Sequence, residues 1–162
     1  MPDLLWDDVK ALFDPEACGA LPDVVVEGTS VENWQMVLDL VQAQGWRYAY
    51  LRNGEPTELT SAAEMAAGVA SESRVTPELR VWPIPEVLMI FRMYQVESID
   101  FDVDLRELQG QERLDLLVDV FRLIGRRVGK SVWMSAEGSP GHPDIGFDVE
   151  ADRVVLMVEP AG

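Results

Sequence analysis

Apolar residues recur along this chain at two spacings, one near 3.6 and one of 2, and the switches between them divide it into helices and strands. Leu5, Val9, Leu12 and Phe13 fall at helical spacing, with Asp7, Asp8 and Lys10 turned away. They predict an N-terminal helix within residues 1–14, ended by Asp14-Pro15. Residues 23–27 form a short apolar strand between Pro22 and Gly28. Thr29-Ser-Val-Glu32 has the spacing of a capping box. The helix it opens places Trp34, Val37, Leu38 and Val41 on one face and stops at Gly45. Residues 46–51 alternate as a strand with Trp46, Tyr48 and Tyr50 on one side, and Asn53-Gly54 turns the chain. An aromatic strand face of this kind is core more often than pocket floor. The Ala/Ser/Glu-rich stretch 57–74 predicts at most a short helix near 61–67.

Two strands follow, at 79–82 and 86–94, separated by Pro83-Ile-Pro85. The second is nearly continuous in apolar residues, as for a central strand covered on both faces. Residues 98–104 alternate strictly: Ile99, Phe101 and Val103 go one way, Asp100, Asp102 and Asp104 the other. After Gly110 comes the strongest helical stripe, Leu114, Leu117, Val118, Phe121 and Ile124, closed by Gly125 and Gly129. A strand at 131–135, a Gly/Pro loop at 137–144 and a hairpin of 145–149 with 153–159 complete the reading. The class is α+β: a mixed or antiparallel sheet of about seven or eight strands with two long helices packed on it, in one domain over residues 1–162. The order strand, helix, three strands occurs in 23–94 and again in 98–159, which suggests a pseudo-duplicated β-α-β-β-β unit.

Charge changes this picture most. The 162 residues carry 29 Asp+Glu against 13 Lys+Arg, a net charge of −16, on an otherwise globular composition of 48% hydrophobic residues. The excess is distributed: residues 1–80 hold 14 acidic and 5 basic side chains, residues 81–162 hold 15 and 8. Such a surface repels nucleic acid and anionic lipid and attracts basic proteins and divalent cations. No apolar stretch approaches the ~18 residues that span a bilayer. The acidic start lacks the pattern of a signal peptide. The expectation is a cytoplasmic monomer or homodimer with neither nucleic acid nor membrane as partner. The single Cys18 excludes an intrachain disulfide and a cysteine-based zinc site. The single His142 sits in a loop beside Ser139 and Asp144, and three residues of one loop do not make the convergent geometry of a hydrolytic triad.

The sharpest local feature is the row Asp100, Asp102 and Asp104. Strand rise sets successive carboxylates about 7 Å apart on one face. A solvated edge strand that blocks sheet-to-sheet aggregation would carry such a row. Two functional readings compete with it. In the leading one the chain is a non-enzymatic binding protein, inhibitor or immunity-like, whose aspartates Asp100, Asp102 and Asp104 meet a basic protein partner, with no cofactor. Immunity proteins that shield the cationic active site of a toxin nuclease are an analogy of charge and size, not of sequence. In the alternative, Asp100, Asp102 and Asp148 hold Mg²⁺ or Mn²⁺ in an enzyme acting on a phosphate ester or nucleotide, and Arg126, Arg127 and Lys130 meet the phosphate. No phosphate-cradling loop, paired-histidine motif or dinucleotide fingerprint is present.

Overall fold

The computed structural model describes residues 2–139 and 141–157, so Pro140 and the end of the predicted last strand, Val158 and Glu159, lie outside it. Its strands are β1 (Asp23–Glu27), β2 (Arg47–Arg52), β3 (Glu55–Thr57), β4 (Pro77–Ile84), β5 (Val87–Arg92), β6 (Ser98–Asp102), β7 (Val132–Ser135), β8 (Pro143–Asp148) and β9 (Arg153–Leu156). They form one nine-stranded sheet in the order β3-β2-β4-β5-β6-β1-β7-β8-β9, antiparallel at every pairing. The helices are α1 (Trp6–Val9), α2 (Pro15–Cys18), α3 (Val31–Ala43), α4 (Ala62–Ala70) and α5 (Gln111–Val128). The two long ones, α3 and α5, touch each other; α5 lies against β7, β8 and β9, and α4 lies against β4 and α3.

The strand count exceeds the sequence expectation through β3, a three-residue strand too short and polar to show alternation. The N-terminal helix is also broken up. A single turn, α1, passes into a 3-10 turn over Lys10–Phe13. Pro15 then starts α2, with the Asp14 side chain accepting from Glu16 N. The cap of α3 is shifted by one residue from the predicted box. Ser30 Oγ accepts from Asn33 N at 3.3 Å, and Asn33 Oδ1 accepts from Ser30 N at 3.1 Å. Thr29 is spent elsewhere: it is buried, and its hydroxyl donates to Val96 O at 2.7 Å.

Burial alternates along β1, β4, β5 and β6, and the register carries that alternation across the middle of the sheet. Val24 lies opposite Phe101 and Met134, Phe101 opposite Phe91, and Phe91 opposite Leu79. All are buried, and with the inward stripes of α3 and α5 they make the core. The other face keeps its side chains partly exposed. This corrects the reading of residues 86–94 as covered on both faces: Val87, Met89 and Phe91 are buried, while Leu88, Ile90 and Arg92 are only partly so. The prolines of the preceding linker are also partly absorbed, since β4 runs through Pro83 to Ile84 across a register shift after Val81.

Gly125 does not end α5. It lies inside the helix because Phe147 of β8 packs where its Cβ would be, and the helix ends at Gly129 in the left-handed conformation, φ +69°. The predicted order of strand, long helix and three strands recurs in both segments only when β3 and α4, which interrupt the first, are set aside, and the sheet order of the two segments differs. The meander β2-β4-β5 reaches the centre through its last strand, whereas β7-β8-β9 reaches it through its first. At the centre the segments interlock, with β6 between β5 and β1, and β1 between β6 and β7.

Candidate functional site

The strict alternation at 98–102 orients β6 so that Ile99 and Phe101 enter the core and Asp100 and Asp102 stand on the uncovered face. Its neighbours decide what surrounds them. From one side β1 sets Asp23 opposite Asp102 and Val25 opposite Asp100. From the other, β5 sets Ile90 opposite Asp102 and Arg92 opposite Asp100. Three carboxylates, two aliphatic side chains and one guanidinium therefore meet at the middle of the sheet. They border an open cavity of about 420 Å³, which Tyr94, 63% exposed, also lines.

The carboxylates are not equivalent. Asp102 accepts from Arg92 Nη1 at 2.6 Å, and Arg92 Nε also donates to Glu78 at 3.1 Å. Asp104 accepts from the Arg106 backbone N–H and from its guanidinium, each at 2.9 Å, and the bonds from Arg106 lead in holding its carboxyl below the usual range. Among the described residues Asp100 accepts a side-chain hydrogen bond from Ser98 Oγ alone, at 2.9 Å. Burial, with the Asp102 charge, pushes the Asp100 carboxyl up in spite of that bond. Asp23 is pushed up to about 6: burial comes first, then the hydrogen bond and charge of Asp102, then the charges of Asp100 and Glu137. Among the described residues, neither Asp23 nor Asp100 has an ion-pair partner.

The chain matches no protein-family model, no curated protein and no solved structure. The geometry of this site therefore stands alone in arguing what the molecule does.

It brings together part of what the sequence singled out. Asp100 and Asp102 stay adjacent. Asp104 keeps to the same face but is turned to Arg106 and caps the 3-10 turn over Leu105–Glu107. The alternative metal set is not assembled. Asp148 lies on β8, three strand spacings from β6, at least about 14 Å away. There its carboxylate accepts from Glu150 N and Ala151 N in the β8–β9 turn. Among the described residues no group of three His, Cys, Asp or Glu side chains is arranged to hold a metal ion. Nor do the basic residues join the aspartates. Arg126, Arg127 and Lys130 cluster at the C-terminal end of α5, in the helix layer, where a helix end favours cations. Arg126 is bound there to Asp152, at 2.7 and 3.0 Å.

Sequence reasoning missed Asp23, Arg92 and Tyr94. Asp23 reads as the polar start of an apolar strand, and only the β1–β6 pairing makes it a third carboxylate of the site. Of the aromatic row on β2, Tyr50 is buried and Tyr48 is exposed. Among the described residues no helix is long and apolar enough to cross a membrane.

Proposed function

We propose that the protein is a non-enzymatic binding protein that docks a basic protein partner on the uncovered face of its sheet. One observation carries this reading: at the centre of that face Asp23 and Asp100 are carboxyls with no ion-pair partner among the described residues, whereas Asp102 and Asp104 are matched by Arg92 and Arg106. An arginine or lysine from a partner supplies the missing charge. The aliphatic stem of such a side chain suits Val25 and Ile90, and its head can lie against Tyr94. The net charge of −16 draws a cationic partner from a distance, and the cavity fixes where it lands. A nuclease whose cationic active site this protein would cover, as immunity proteins do, is the partner chemistry this fits.

The test begins with capture of partners from native lysate at low salt and release by a salt gradient. Association rates of the partner recovered are then measured for the wild type and for Asp100→Asn. The expected result is association that slows with added salt and, because Asp100 would meet the partner's cation in the cavity, a faster off-rate as well as a slower on-rate in the variant. Binding indifferent to salt and to Asp100→Asn sinks the reading.

A further inference from the structure

The two aspartates that face each other across the β1–β6 pairing present a problem that the rest of the sheet does not. Like charges directly opposite one another on neighbouring strands are destabilising. Asp23 and Asp102 occupy such a pair of positions, in the junction where the two segments of the chain interlock. We propose that Asp23 holds a proton against Asp102, so that the junction is firm while the proton is held and weakens when it leaves. Two carboxyls in contact do not both ionise readily.

Among the described residues the surroundings relieve the repulsion only in part. On β6 the pair faces Asp100, a further negative group. From the β7–β8 connection it faces Glu137, whose carboxylate is otherwise occupied in accepting from Leu21 N at 3.0 Å. On β7 the residue opposite Asp23 is Ser135, which is uncharged. On β5 the only cation is Arg92, and its guanidinium is divided between Asp102 and Glu78. Tyr94 lines the same cavity. A proton is the smallest cation that fits between the two carboxyls.

The direction of the pH effect follows. Asp23 is pushed up to about 6, above its unfolded value. Folding therefore takes up a proton between the ordinary carboxylate range and pH 6. Stability from this group is greatest below that range, falls as pH rises through 6, and levels off above. From pH 5 to pH 7 the folding constant drops by at most about tenfold, less where water screens the pair. This inference does not depend on any partner.

Two measurements test it. Carbon-13 carboxyl titration of the wild type should give Asp23 a midpoint near 6, and Asp102→Asn should bring that midpoint down. Urea denaturation at pH 5 and pH 7 should show the wild type losing stability, and Asp23→Asn losing much less. A wild-type midpoint near 4, or an unchanged pH slope in Asp23→Asn, overturns the proposal. Should Asp23→Asn fail to fold, the wild-type titration decides alone.

Discussion

Along β6 the residues that face the helices, Ile99 and Phe101, are at most 1% exposed, while Asp100 and Asp102, one position away, look out from the open face. On the covered face the strands are joined by close aromatic contact. Phe101 stacks on Phe91 at 4.4 Å and meets the edge of Phe121 at 6.3 Å. On the open face β6 carries like charge opposite its other neighbour, Asp102 against Asp23 of β1. A sheet bears that arrangement only if its stability comes from the other side. The comparison teaches a division of labour within single strands: alternate residues hold the fold, and those between are free to carry unbalanced charge outward.

The comparison can be broken first from the covered side. Phe101→Ala removes a ring from both aromatic contacts and should cost about 3–5 kcal/mol in urea denaturation. A cost under about 1 kcal/mol would mean that the covered face does not dominate stability. Next in size is Gly125→Ala. Its methyl would meet the Phe147 ring where α5 rests on β8, and overpacking of this kind costs about 1–3 kcal/mol, read as a lower thermal midpoint. The smallest effect comes from the open face and sharpens the comparison within it. Asp104→Asn removes a carboxylate already matched by Arg106, so it should slow partner association less than Asp100→Asn. Equal slowing would show that net charge alone matters and that the unmatched pair is not special.

How much of this could be read from the sequence depends on the distance over which each feature is determined. The alternation at 98–104 gave both faces of β6, and the stripe from Leu114 to Ile124 gave the buried face of α5, because periodicity reports what one element buries. The site was legible only as far as β6 extends. Asp100 and Asp102 could be paired on paper, but Asp23 joins them through a register between strands far apart in the chain. Nothing local to Asp23-Val-Val-Val-Glu27 sets that register. The misread cap has the same cause: Thr29 and Ser30 can both cap a helix, Thr29 has Glu32 at capping-box spacing, and the contact of Thr29 with Val96 decides between them. The failed metal set shows the converse. Asp148 matched Asp100 and Asp102 in residue type, yet the order of strands separates them.

The position of β1 has a consequence for the order in which the molecule can be made. Both of its neighbours, β6 and β7, come later in the chain. When synthesis has delivered only the first of the two segments, β2, β4 and β5 can already pair as a meander, but Val24-Val25-Val26 has an open edge on either side. Its closure waits for residues 98–102 and 132–135 to emerge. Until then an apolar strand with two free edges is open to pairing with other chains. The interval between the birth of β1 and the arrival of β6 is therefore when this protein most depends on staying apart from its copies, and a chain with this much negative charge is well suited to do so.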